Sequence, residues 1–430
     1  MAIELSDLTF TEQDDIVPQS GVEEIFNTGI ANTLGGKDII TGTSTNTGIY
    51  NSGTINTGDG IDSITGTSTS VGGGGIFNFA GIFNFGTNAI IDTGAGSDRI
   101  TATGSFGIYN EGTINTDTGR DIITITGNGN GVGIYNTGNI NTGDDNDTIT
   151  IANDIGGNGI YNSGTINTGD GNDIINSTGG IGDLGSVGIY NDGTINTGTG
   201  RDIITGTSNN YGIYNTGTIN TGDGSDIITG TNTTEGGYGI YNAGTINTGD
   251  GSDIITGTTT TERGYGIYNT GTINTGDGSD IITGTSTTEP GYGIYNEDII
   301  NTGNGDDSII ANGGLYNNGG SINTGNGNDS IIANGGFQSG LNNSGSVFLG
   351  NGEDYIKGFG SGDFYGGNGS DTLELTPGTY TVGIWGSGGE SVIFTKGNQL
   401  MITSEFEKLK AGNTLYDFTS LAAGQIITVA

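Results

Sequence analysis

One nonapeptide recurs fourteen times, and its fixed positions leave few folds open. Thr-Gly-Asp-Gly-Ser-Asp-Ile-Ile-Thr, residues 221–229, returns unchanged at 248–256 and 275–283. Looser copies begin at Thr33, Thr57, Thr93, Thr116, Thr142, Thr168, Thr197, Thr302, Thr324, Leu349 and Gly366. The sixth position is aspartate in every copy: Asp38, Asp62, Asp98, Asp121, Asp147, Asp173, Asp202, Asp226, Asp253, Asp280, Asp307, Asp329, Asp354 and Asp371. The eighth is always Ile or Leu, whereas the seventh admits Ser63, Arg99, Thr148, Ser308 and Tyr355. A constant apolar position beside one that tolerates a charge describes a strand with one face in and one face out.

A second segment precedes each nonapeptide. Gly212-Ile213-Tyr214-Asn215-Thr216-Gly217-Thr218-Ile219-Asn220 is typical, with near copies at 48–56, 133–141, 159–167, 188–196, 239–247 and 266–274. Each repeat thus supplies three short strands, Gly-Ile-Tyr-Asn, Thr-Ile-Asn and Asp-Ile-Ile-Thr, joined by glycine turns. The expected fold is all-β: a single long parallel β-solenoid, three strands per coil and about 14 coils, with a small β-rich C-terminal cap. The expected divisions are an N-terminal cap or donor segment (1–20), the solenoid (21–371) and a C-terminal cap or secretion-signal region (372–430). Composition alone would indicate disorder, with 30% hydrophobic residues, 91 glycines and a net charge of −38. About three buried isoleucines per coil suffice for so narrow a core, which removes the conflict.

What is missing narrows the function. The chain has no cysteine and no histidine, so disulfides, thiolate metal sites and Ser-His-Asp chemistry are excluded. Its nine basic residues are scattered, which excludes nucleic-acid binding. Residues 1–7 do not read as a classical signal peptide, and no apolar stretch is long enough to span a membrane. Nearly every aspartate belongs to the repeat, and Arg99, Arg120 and Arg201 stand alone at outward positions, so no enzyme activity is expected.

Other columns recur. Phe26, Tyr50, Phe77, Tyr109, Tyr135, Tyr161, Tyr190, Tyr214, Tyr241, Tyr268, Tyr295 and Tyr316 should stack as an outward aromatic stripe. The asparagine after each aromatic, from Asn27 to Asn296, should form an inward amide ladder. Threonines such as Thr41, Thr43, Thr205, Thr207, Thr229 and Thr231 should lie outward. After Asp371, residues 379–385 and 391–395 read as hairpin strands and 425–430 as a last strand. Ser404 with Glu407 reads as a capping box for a short helix ending near Gly412.

The nonapeptides resemble the G-G-x-G-x-D-x-U-x repeats of RTX-type (hemolysin-type) calcium-binding proteins, and residues 366–374 match that pattern throughout. The chain also resembles cyanobacterial secreted Gly/Asn/Thr-rich repeat proteins, in Phe10–Pro18 and around Phe406–Leu409. The resemblance implies Ca2+ held by turn carbonyls and the fourteen sixth-position aspartates. It also implies type I export without a signal peptide, to the cell surface or the medium. Physics permits both calcium and its alternative. Stacked carboxylates one coil apart repel by about 0.9 kcal/mol in water, which favours a cation; equally, each Asp could cap its own turn without metal. The resemblance differs in one respect, since RTX rolls carry tandem nonapeptides and this chain carries one per coil. The expected function is a secreted structural or adhesive protein, a sheath, surface-layer or filament subunit that self-associates and contacts cell-surface glycans. The alternatives are an ice-binding or calcium-buffering solenoid, or a polysaccharide-acting β-helix enzyme.

Overall fold

The computed structural model describes residues 2–18, 23–69, 80–153, 156–180, 185–234, 236–260, 263–288, 291–338, 345–386 and 391–430. The expected architecture is present: an all-β parallel β-solenoid with three strands per coil and three sheets, of about 12 turns. The count falls short of fourteen because the last copies lose the regular coil. Around Asp371 the glycine turn itself becomes part of a long strand, Gly362–Gly369.

A coil from the middle of the chain shows how the sequence makes the fold. Tyr211–Asn215, Thr218–Asn220 and Ile227–Asn232 are its three strands. Ile213, Ile219 and Ile228 are fully buried, one per strand. Each pairs in parallel with its own counterpart one coil back, Ile189, Ile195 and Ile204. Most residues therefore meet a copy of themselves, with exceptions such as Val187 beside Tyr211 and Ser208 beside Asn232. Phe83, Tyr109, Tyr135, Tyr161, Tyr190 and Tyr214 stack at ring separations of 4.8–4.9 Å. Asn136 is typical of the inward amides: its Nδ2 reaches Asn162 Oδ1 at 2.8 Å, Gly138 O at 3.2 Å and Thr165 O at 2.9 Å. Buried amides of this kind stay in register because a slip would leave their donors unpaired.

Two turn positions demand glycine. Gly222 has a φ of 81° and Gly278 of 142°, and a Cβ at either would overlap a glycine carbonyl one coil back, that of Gly198 or Gly251.

The chain divides into two compact units, Met1–Asp223 with Ile227–Thr233, and Gly224–Asp226 with Thr234–Ala430. In the first, Ala2–Glu4 and Ile16–Val17 pair in parallel with the first coil, and the fully buried Leu5 covers its core. In the second, Gly378–Trp385, Ser391–Lys396 and Gln399–Ser404 form an antiparallel sheet around Tyr380 and Phe394, and Ile426–Val429 adds to its first strand. The strands at 378–385, 391–396 and 426–429 match the sequence expectation, and Gln399–Ser404 adds one that it did not name. The helix after Ser404 does not: Lys408–Ala411 and Thr414–Asp417 are antiparallel strands, because Glu407 accepts the Asp371 backbone N–H at 2.7 Å and lays the following residues beside Thr372–Leu375. Among the described residues the only helical turns are 3-10, Leu5–Asp7 and Phe418–Ser420.

Residues 75–86 carry the sequence Gly-Ile-Phe-Asn-Phe twice, and within them the described residues begin at Ala80. Phe83 and Asn84, from the second copy, take the aromatic and amide places between Tyr50–Asn51 and Tyr109–Asn110. Phe77 lies outside the described residues.

Candidate metal column

The glycine turn sets the site. It brings the chain round so that the sixth residue starts a strand with its side chain turned inward. All fourteen aspartates, from Asp38 to Asp371, are buried at 2% exposure or less. Each carboxylate has one oxygen whose role is clear. Asp62 Oδ1 accepts the N–H of Asp38 at 2.7 Å, Asp98 that of Asp62 at 2.7 Å, and Asp147 that of Asp121 at 2.8 Å. In the first unit the ladder begins at Asp15, whose N–H goes to Asp38, and in the second it ends at Glu407. Position six thus caps the neighbouring coil, one coil away from the turn that the metal-free alternative assigned to it.

The second oxygen is different. In the first coil the Thr33 hydroxyl contacts Asp38 Oδ2. Further along, the equivalent hydroxyls give their one hydrogen to a backbone carbonyl of the next coil: Thr57 to Thr93 at 3.2 Å, Thr116 to Thr142 at 3.1 Å, Thr302 to Thr324 at 3.2 Å. A hydroxyl has one proton, so such a threonine shares a single donor between that carbonyl and its own aspartate. Among the described residues, the buried Oδ2 atoms of Asp354 and Asp371 have no hydrogen-bond donor, and those of Asp62, Asp98, Asp121, Asp147, Asp173, Asp253, Asp280, Asp307 and Asp329 have at most the hydroxyl of their own turn threonine.

The energetic consequence is large. Burial pushes these carboxyls up from their ordinary range: Asp62, Asp173, Asp307 and Asp371 to about 6, Asp98, Asp253 and Asp329 to about 7, Asp147 to about 8. The N–H from the neighbouring coil works against the shift, and the next carboxylate in the column adds to it. Near neutral pH the column therefore calls for positive charge, either as protons or as a bound cation.

The donors fit one cation class. An oxygen-only set of carboxylate and glycine-turn carbonyls suits calcium, which takes six to eight such ligands. No cluster of three or more acidic side chains forms among the described residues, so each site would combine a carboxylate with backbone oxygens. The second acids of the turn, Asp59, Asp170, Asp223, Asp250 and Asp277, are exposed and stand apart from the buried column. Two features escaped the sequence reading. Glu407 closes the column from outside the repeat. An outward ladder also runs through the Thr-Ile-Asn strands, with Asn167 donating to Asn141 at 2.7 Å and Asn196 to Asn167 at 2.7 Å. The recurring asparagine at the end of that segment, replaced at Asp92, Phe348 and Tyr365, was its signal.

No helix among the described residues is long and apolar enough to cross a membrane. The solenoid is compatible with RTX-like repeats, but no family model and no curated protein matches the chain. Among solved structures it is similar to a hyperactive, Ca2+-dependent, β-helical antifreeze protein from an Antarctic bacterium, with 16% identity and a TM-score of 0.41, covering 95% of this chain and 94% of that one. A likeness at that level carries no argument about function.

Proposed function

We propose that this chain is an extracellular structural or adhesive solenoid, without catalytic activity, whose coils are held together by calcium at the stacked Gly-Asp turns. The observation that supports it is the column of buried carboxylates, each with one oxygen spent on the neighbouring coil and, in most coils, a second with at most a threonine hydroxyl as donor. The sixth-position aspartates, Asp38 to Asp371, would hold the metal together with the carbonyls of their own turns. Calcium would supply the positive charge that the buried column lacks and would tie successive coils together. The protein's own residues do the rest. Glycines allow the tight turn, the aspartate fixes the next backbone, and the Tyr and Asn ladders hold the register.

A solenoid that repeats each side chain along its length presents uniform faces, which suits a sheath, surface layer or filament and contact with surface glycans. Type I export remains part of the proposal, on the strength of the RTX resemblance. Titration calorimetry of the full chain with calcium, against magnesium as control, tests the metal. Several calcium ions per chain, with little heat from magnesium, are expected; no calcium heat at pH 8 would refute it. Electron microscopy with calcium tests assembly, where ordered filaments or layers are expected and dispersed particles at all concentrations count against them.

A further inference from the structure

The outward side of the Asp-Ile-Ile-Thr strands in the first unit differs from the rest of this acidic surface. Two columns of outward residues run through eight stacked strands, from Thr41 and Thr43 to Thr229 and Thr231. They are threonine throughout except for Asn176 and Ala152, and neither column contains a charge, in a chain of net charge −38. The third outward column on the same strands is mostly isoleucine, with Arg99 its one charged member.

Three properties make this face a regular grid. Parallel pairing sets threonines at about 4.8 Å between coils and about 6.6 Å along a strand. From Tyr109 to Tyr214 the rings lie within 5–12° of parallel, so those five coils rotate little against one another, while Phe83 turns by 21–24° from its neighbours. Threonine is β-branched and stiff at χ1, which fixes methyl and hydroxyl positions. The hydroxyls are also uncommitted. Threonines of the turn, such as Thr57 and Thr116, spend theirs on backbone carbonyls, whereas among the described residues no hydroxyl of the two outward columns bonds to the protein in this unit.

We propose that this threonine face binds crystalline water, that is, the surface of ice. A flat, rigid, uncharged grid of methyls and free hydroxyls orders water at its own spacing, and that spacing is of the same order as the repeat of oxygens on ice planes. A second copy of the chain is a poorer occupant, because two chains of this charge repel before their faces meet. An ice surface carries no such charge. The inference does not depend on the calcium reading, since it uses the opposite side of the strands.

The test uses the full chain in calcium. Ice-affinity partitioning and inhibition of ice recrystallisation are measured for the wild type, for Thr124→Lys with Thr205→Lys on the face, and for Thr113→Lys with Thr194→Lys on the Thr-Ile-Asn strands as control. The wild type and the control should enter growing ice and stop recrystallisation. The face pair should lose at least tenfold in potency with an unchanged melting temperature. Should the lysines disturb folding, Thr124→Leu with Thr205→Leu carries the same test without added charge. Exclusion of the wild type from ice, equal losses in face and control variants, or full potency in the face variants would overturn the proposal. So would sedimentation or cellulose pull-down showing that the face serves a second copy or a crystalline polysaccharide while ice is ignored.

Discussion

The repeat coils and the C-terminal cap solve the same problem in opposite ways. Both hold carboxylates in register between parallel strands. In the cap, Glu374 lies in register between Lys357 and Lys410, with contacts of 3.2 and 2.5 Å, and accepts a hydrogen bond from Tyr355 at 2.7 Å. Burial works to raise its carboxyl, but hydrogen bonds from Lys410, Tyr355 and Lys357 carry it below the usual range. In the coils, aspartate stacks on aspartate and the carboxyls rise to about 6–8. The difference lies in where positive charge comes from. A ladder of alternating sign supplies its own, whereas a ladder of identical residues must take it from solution. Repetition gives the coils their register and leaves them dependent on protons or metal.

Removing calcium should therefore have the largest effect of any single change. At pH 8, chelator should lower the melting temperature of the coils strongly, since each site saturated at a hundredfold excess contributes about 2.7 kcal/mol and several act together. Calorimetry with and without chelator reads this directly, and the cap transition, if separable, should move little. Breaking a coil from inside comes next: Ile228→Ala, at a fully buried position, should cost about 2–5 kcal/mol with or without calcium. Asp147→Asn sharpens the comparison further. The amide keeps an oxygen for the Asp121 N–H but removes the charge, so it should destabilise the protein in calcium and stabilise it in chelator at pH 8. The same sign in both conditions would show that the charge is not the issue. Smallest is Lys410→Ala in the cap, where a half-exposed ammonium should cost under about 1 kcal/mol, in calcium and chelator alike.

Much of this is legible in the sequence. The constant apolar eighth position fixed which side of the strand is core, and the invariant sixth aspartate marked the column. Partners were harder to read. A carboxylate at a turn fits both a cap for its own turn and a metal ligand, and only the stacking shows that one oxygen serves the neighbouring coil. Phe83 and Asn84 were hidden because two copies of the same segment competed for one place. Asp59 and its equivalents share the period of Asp62 but sit on the outward side of the turn, which period alone does not reveal. Ser404 and Glu407 satisfy a capping pattern on paper; in the fold the glutamate is drawn to the free N–H at the end of the aspartate ladder. The division into two units left no mark, because the repeat reads the same on both sides of it.

The central claim is that the buried aspartates are neutralised from outside the chain, and the pH dependence of melting tests it. An aspartate near 3.9 when unfolded and near 7 when folded, as for Asp98 and Asp253, binds more protons in the native state. Its contribution is complete below about pH 4 and is lost as pH rises through its folded value. Glu374 runs the other way, contributing above about pH 4 and losing its contribution as pH falls. In chelator the melting temperature of the coils should thus decline steadily from about pH 5 to pH 8, and millimolar calcium should abolish the decline. A flat profile in chelator, or a decline that calcium leaves untouched, would contradict the account.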